Sequence, residues 1–413
     1  VLLRGVGAAG VTGAVVLLAA TACSGGDDGG TGTGSTVAGQ EDASAPQVTI
    51  TPATGTNRAL PDRGVVVKAG NGTLEQVTVT AKGKPVDGRM SADKTTWQSR
   101  TLIPGASYEV SAIARNPKGK TTTATSSFRT VRAAAPLTVV DMIPMPGEKV
   151  GVGMPITLTF NRSIADRDKK AVEQALRVKS TKPATGAWFW VSDRQVIFRT
   201  KNGAYWEPNQ TVAVRADLAG VRAGKGVYGT ADFGRKFRIG DSHISIASAK
   251  TKKMIVKVNG KTVKKTGISA GKGGRVVNGV DTYLTTSGIH LTMSKHRVER
   301  MTSAWMGVDP KDKANGGYDL MLPHAVRISS TGEYVHAAPD RYWAFGRTNA
   351  SHGCVNAPPP FAEWFYNLSY RGDIVIVTGT KRSLPWNNGW SYYEMPWAKW
   401  VKGSALDREV TTG

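Results

Sequence analysis

The chain has 413 residues, 40% of them apolar and 21% charged, so roughly two to four globular domains are expected, each with a core of its own. Its 54 Lys and Arg against 31 Asp and Glu give a net charge of +23, a balance suited to a polyanion such as nucleic acid, anionic lipid or an anionic wall polymer. No RNP, helix-turn-helix or zinc-finger pattern is present, so no nucleic-acid partner is expected.

At the N-terminus, Arg4 precedes a small, apolar run from Val11 to Ala22. The run is too short to span a bilayer as a mature helix and suits the core of an export signal. It closes on Ala20-Thr21-Ala22-Cys23, where two readings compete: ordinary signal-peptidase cleavage after Ala22, or a lipobox in which Cys23 becomes the lipid-bearing N-terminus. Ala22 before Cys23 and Ser24-Gly25-Gly26 after it favour the lipobox, although Ala20 stands where Leu is usual. Residues 1–22 are therefore read as a signal peptide. Residues 23–47, a run of Gly, Ser, Thr and Asp without periodicity, are read as a lipidated cysteine and a flexible tether.

Two β-rich units follow. Residues 48–132 carry short alternating segments such as Val77–Gly83, Tyr108–Asn116 and Thr121–Thr130, separated by Gly, Pro and Asn. This spacing predicts a small antiparallel sandwich of immunoglobulin size, without the disulfide of antibody domains. Residues 133–240 repeat the theme with Ile156–Ile164, Trp188–Thr200 and Thr211–Leu218, and a polar stretch from Asp166 to Leu176 predicts one helix. Either unit suits a substrate binder or a spacer, the commoner use in exported proteins.

The third unit, residues 241–380, opens with Asn259-Gly260 between alternating segments, a two-residue hairpin signal. Strands are expected at Tyr283–Leu291, His324–Ser329, Gly332–Ala337 and Asp373–Gly379, and a helix at Pro359–Tyr370. Residues 381–413 form a tail rich in Trp and Tyr, expected to pack over the third unit as a cap, with glycan stacking as the alternative. The fold class is mainly β: two immunoglobulin-like sandwiches, a β-rich third domain with few helices, and an aromatic C-terminal extension.

Cys354 is the chemical centre of the reading. If Cys23 is lipidated or removed, Cys354 is unpaired in an oxidising compartment, where a free thiol is a liability unless it works. A thiol needs a nearby base or cation before it attacks. His352 lies two residues away along the chain, and His336 lies on a predicted neighbouring strand. His336 is taken as the base and His352 as support for the loop. Gly353 lets the backbone approach a substrate, so the amides of Gly353 and Cys354 are expected to face a developing oxyanion. Asn356 is placed to fix the turn or hold the substrate backbone. The plainer alternatives are a buried structural cysteine and a zinc site; no metal is expected, because neither CxxC nor HExxH is present.

His336, fourteen intervening residues and then Ser351-His352-Gly353-Cys354-Val355-Asn356 resemble the signature of the L,D-transpeptidases, the YkuD-type cysteine enzymes of bacterial cell-wall synthesis. The layout of signal, tether, two sandwiches, catalytic domain and aromatic tail resembles the actinobacterial members. The resemblance implies catalysis by Cys354, His336, Gly353 and His352. Cys354 attacks the diaminopimelate carbonyl of a stem tetrapeptide and releases D-Ala, and His336, oriented by the main-chain carbonyl of Ala337, shuttles the proton. It implies a substrate-binding set of Tyr318, Thr331, Gly332, Ser351 and Asn356, with Met301 and Met306 in a lid. The implied product is a 3→3 crosslink made without a cofactor, the implied partners are donor and acceptor stems, and carbapenems are implied covalent inhibitors. A lipid anchor at Cys23 implies an extracytoplasmic, membrane-anchored enzyme facing the cell wall. Alternatives at the same thiol are an L,D-carboxypeptidase and attachment of a protein to peptidoglycan. A peptidoglycan-binding lipoprotein is the non-enzyme alternative.

Overall fold

The computed structural model describes residues 44–413, apart from the side chains of Trp305 and Met306. The signal-peptide reading, Cys23 and nearly all of the tether lie outside the described residues. In the first sandwich, Tyr108, Val110, Ala112 and Ala114 are buried at every second position of Ser107–Arg115, the period of a strand with one face on a core. That strand belongs to a sheet ordered Lys84–Pro85, Thr73–Ala81, Ser107–Arg115, Thr121–Arg129, and a second sheet ordered Gln47–Thr51, Val66–Gly70, Thr96–Ser99, Gly88–Met90 shares its core. Trp97 covers Gly88, where a Cβ would meet the indole at 2.1 Å.

The second sandwich sets a sheet ordered Val139–Ile143, Ile156–Phe160, Gln195–Thr200, Thr185–Trp190, Val410–Thr411 against one ordered Lys149–Val150, Phe233–Ile239, Gln210–Ala216, Leu176–Ser180. The expected helix spans Asp166–Gln174. Its core, around Trp188, Phe198, Trp206 and Phe237, continues into the third unit through Leu291 and Ile374. Close approach makes this junction: a Cβ on Gly151 would sit 2.3 Å from the Asp373 amide nitrogen.

The aromatic tail reaches the third unit, where Glu394 accepts from the Ile289 amide at 2.6 Å and Asn388 from the Thr331 amide at 3.1 Å, and extends beyond it onto the second sandwich. Its last strand, Val410–Thr411, adds to the second sandwich by pairing with Thr185 and Gly186. Trp400 and Met395 bury against Ala187 and Ile197, and the Trp400 ring lies 4.6 Å from that of Phe189. The physical reason is an otherwise uncovered apolar sheet face that carries a buried cation. Arg199 sits within 5.1 Å of the Tyr393, Trp397 and Trp400 rings, and its guanidinium donates to the Met395 carbonyl at 2.8 Å.

Two sheets and a helix form the third unit. The first sheet runs Lys261–Gly267, Lys253–Val258, His243–Ser248, Ile374–Thr378, Gly288–Leu291, with His243–Ser248 parallel to Ile374–Thr378. The expected hairpin is present, with Asn259 and Gly260 at φ 48° and 81°, the double left-handed turn that Asn-Gly favours. The second sheet runs Ser294–Thr302, Asp319–Arg327, Tyr334–Ala337, Val355–Ala357, and helix Pro359–Leu368 packs on it through Phe361, Ala362 and Phe365. Of the strand expected over Tyr283–Leu291, only Gly288–Leu291 forms. Upstream, the Thr286 amide donates to the Glu333 carboxylate at 2.7 Å and the Thr285 hydroxyl accepts from Gly271 at 2.8 Å, so these groups serve tertiary contacts.

Candidate active site

The strands Tyr334–Ala337 and Val355–Ala357 run parallel, with His336 opposite Asn356. Alternation splits their side chains: Val335, Ala337, Val355 and Ala357 enter the core under the helix, while Tyr334, His336, Cys354 and Asn356 share the other face. Cys354 immediately precedes its strand, two residues before the Asn356 that stands opposite His336, so the two side chains are diagonal neighbours on one face. His336, Cys354 and Asn356 of this face line a cavity of about 320 Å³ that Tyr318, Gly332 and His352 also line.

Burial sets the electrostatics of the pair. His336 is 5% exposed, and desolvation pulls its pKa down to about 4, against the opposing pull of the Ala337 carbonyl, the Asn356 side chain and Asp340. A carbonyl only accepts, so Nδ1–H donates to Ala337 at 2.8 Å and the lone pair lies on Nε2. Cys354 is 9% exposed, and burial pushes its thiol up to about 12, with Glu333 adding to the rise. The Tyr334 amide donates to the sulfur and opposes that shift. The thiol donates to the Gly332 carbonyl at 3.7 Å. The resting pair is thus neutral imidazole and thiol, and an ion pair would need the desolvation of substrate-free space to be offset.

The turn before Cys354 is braced by Ser351. Its hydroxyl donates to the Cys354 carbonyl at 2.6 Å and accepts the Gly353 amide at 3.1 Å. This corrects the expectation that the Gly353 and Cys354 amides together face an oxyanion, because Ser351 holds the Gly353 N–H. Among the described residues, the Cys354 N–H has no backbone or side-chain acceptor. Gly353 adopts φ +131°, and since a Cβ there would meet only the Thr282 carbonyl, at 3.8 Å, conformation rather than space requires glycine. Ser351, expected among substrate-binding residues, is buried and spends its hydroxyl inside the turn.

His352 packs between two tyrosines, parallel to Tyr318 at 5.1 Å and tilted against Tyr283 at 4.6 Å. Burial and the nearby Lys272, Arg341 and Arg275 bring its pKa down to about 4. It is therefore a neutral wall. Met301 packs on the cluster of Leu322, Ala325, Tyr334 and Cys354, and approaches Gly332. Gly332, at φ +90°, lines the cavity beside Thr331, whose amide and hydroxyl are held by Asn388 of the tail at 3.1 and 2.9 Å. Met306 ends the short helix Ser303–Met306, but its side chain lies outside the described residues. Sequence reasoning missed Tyr283, Asn388 and two cavity arginines, Arg341 and Arg382, which carry no local motif and arrive through the fold.

The pattern of the L,D-transpeptidase catalytic domain, YkuD, matches residues 242–377, and that of a bacterial Ig domain matches residues 56–222, across both sandwiches. L,D-transpeptidase 2 of Mycobacterium tuberculosis (strain CDC 1551 / Oshkosh) is 35% identical over 367 residues, 88% of this chain and 86% of the relative. The chain belongs to the L,D-transpeptidase family. L,D-transpeptidase 5 of Mycobacterium tuberculosis (strain ATCC 25618 / H37Rv) is 30% identical over 370 residues, 88% of this chain and 78% of the relative. A solved LD transpeptidase in complex with imipenem is 31% identical, with a TM-score of 0.48 over 58% of this chain and 98% of its own. As an L,D-transpeptidase the chain is an enzyme, an acyltransferase with a cysteine nucleophile. Cys354 is the free cysteine among the described residues.

Proposed function

We propose that Cys354 carries the acyl group in a peptidoglycan transpeptidation that makes 3→3 crosslinks. The observation that supports this most is Cys354 and His336 on one face of adjacent parallel strands, inside a cavity, in an L,D-transpeptidase. As the sulfur attacks the diaminopimelate carbonyl of a tetrapeptide stem, its proton passes to Nε2 of His336. The Ala337 carbonyl, which accepts from Nδ1–H, stabilises the imidazolium that forms. The Cys354 amide is placed for the oxyanion. Collapse breaks the bond to D-Ala, whose nitrogen takes the proton from His336, and a thioester remains. The side-chain amine of a second stem then yields a proton to His336, forms the amide and returns Cys354 to its thiol. Tyr318, Gly332, Asn356 and Met301 shape the donor site around this step, and the same thiol opens the β-lactam of a carbapenem.

We place the enzyme outside the cytoplasm, anchored to the membrane through lipid on Cys23 and facing the wall. Its tether of about 24 residues reaches at most about 80 Å, and the +23 charge holds it near anionic wall polymers by a salt-sensitive attraction. Cys23→Ala is expected to leave the membrane fraction. Retention there would remove the lipid anchor.

The deciding experiment is mass spectrometry of residues 48–413 after incubation with disaccharide-tetrapeptide. A dimer lacking one D-Ala is the expected product. Tripeptide monomer alone makes the enzyme a carboxypeptidase, and no product from a protein whose thiol still reacts with a carbapenem means that donor or acceptor is a different molecule.

A further inference from the structure

The aromatic rings of the tail are spent on protein: Trp386, Tyr392, Trp397 and Trp400 pack with Ala187 and Ile197 of the second sandwich. Among the described residues, the aromatic side chains that stand most open to solvent lie elsewhere, Tyr342 at 58% and Trp343 at 54% exposure. They follow directly on the short turn Pro339–Arg341, which closes the histidine strand Tyr334–Ala337. Backbone bonds fix this segment. The amide of the fully buried Ala344 donates to the Arg341 carbonyl at 2.9 Å, and its carbonyl accepts from the Arg347 and Thr348 amides, both at 3.0 Å. Phe345 meets the Tyr342 ring edge-on at 5.6 Å. Two adjacent rings held in water on an anchored turn mark an interaction surface.

That surface is continuous with the catalytic cavity. Pro339, Asp340 and Arg341 line the cavity of Cys354 and His336, and the Arg341 guanidinium lies 6.0 Å from the centre of the Trp343 ring, so the ring stands at the cavity rim. Arg341 and Asp340 pair at 3.1 Å, which cancels their charge beside the ring and still leaves polar atoms of both at the surface. Open ring faces beside a neutralised polar pair suit an uncharged, hydroxyl-rich ligand: a pyranose lays its C–H face on the ring and turns its hydroxyl and acetamide groups to the pair. The substrate carries such a group. Three residues of a stem, at roughly 3.3–3.6 Å each, separate the sugar from the carbonyl that Cys354 attacks, which puts the sugar roughly 10 Å from the sulfur. A cavity of about 320 Å³ is at the small end for a ligand site, so it takes peptide and leaves the sugar at the rim.

We propose that Tyr342 and Trp343 form a subsite for the amino sugar that carries the donor stem, so that the enzyme acts on stems still bonded to glycan in preference to free peptides. This rests on the transpeptidase reading, since it takes a stem peptide as the donor. The test is D-Ala release from two donors that share one acceptor, disaccharide-tetrapeptide and the same tetrapeptide without its sugars. The wild type is expected to favour the sugar-bearing donor at least about fivefold in kcat/KM, mainly through KM. Trp343→Ala is expected to lose most of that ratio, and Trp343→Phe, which keeps a ring, to retain most of it. A ratio of two donors on one protein does not move when part of the sample is misfolded or its thiol is blocked. Equal turnover of both donors by the wild type, an undiminished ratio in Trp343→Ala, or an equal loss in Trp343→Phe overturns the sugar subsite and leaves transpeptidation standing. A dimer seen in sedimentation and dissolved by Trp343→Ala would, with equal turnover of both donors, give the rings to a second copy of the chain instead. D-Ala release from neither donor overturns transpeptidation, and the sugar subsite with it.

Discussion

At His336, desolvation outweighs every favourable neighbour and keeps the imidazole neutral. A base must be unprotonated to accept, so acylation is expected to stay level from about pH 8 down to about pH 5 and to fall by half near the pKa of about 4. A stopped-flow profile of carbapenem acylation checks this. A half-point near the ordinary histidine value of 6.5 would mean that the ring is solvated when it works. Gly353 carries a second expectation at this scale. With φ +131° and open space around it, Gly353→Ala is expected to lose about 1–3 kcal/mol through backbone strain, or to shift the turn and slow acylation. Denaturant melts and acylation rates read the two arms, and unchanged values in both would show that the turn tolerates a side chain. The pairing of His336 with Cys354 was legible in the motif. The protonation states were not, because they depend on what the rest of the chain packs over the pair.

Among the elements, the strands with clean alternation were legible. Ser107–Arg115 and Tyr334–Ala337 show one apolar and one polar face, or a core face and a cavity face. Ser294–Thr302 was not, because its Lys295, His296, Arg297, Glu299 and Arg300 carry no apolar period and it is ordered by pairing with Asp319–Arg327. The tail contact at Asn388 was equally hidden. Its amide accepts from the Ser330 hydroxyl and the Thr331 amide at 2.7 and 3.1 Å and donates to the Thr331 hydroxyl, which fixes the turn whose next residue, Gly332, receives the Cys354 thiol. Asn388→Ala is therefore expected to reduce kcat for D-Ala release about tenfold while the protein stays folded. A normal rate would make the clamp dispensable for positioning.

Over the whole molecule, the second sandwich, the catalytic sheet and the tail share packing. Arg199 is buried, with its pKa brought down to about 10 by desolvation, and the tail supplies both its Met395 carbonyl partner and three ring faces. Trp400, fully buried with its indole N–H on the Ala187 carbonyl at 3.0 Å, closes that contact. Trp400→Ala is expected to cost about 3–5 kcal/mol in a denaturant melt. Because one core spans the second sandwich and the catalytic sheet, both are expected to unfold earlier in that variant. A loss confined to the tail would separate them.

The sequence by itself determined the mainly β class, the order of the units, the Asn259-Gly260 hairpin and the Cys-His signature, since each rests on local periodicity or on spacing within a short stretch. Only the tertiary structure decided that Ser351 takes the Gly353 amide, that the tail also serves the second sandwich, that Asn388 holds Thr331, and that Arg341 and Arg382 line the cavity. Those outcomes depend on desolvation and on contacts between residues far apart in the chain, and neither is set until the surfaces that exclude water have come together.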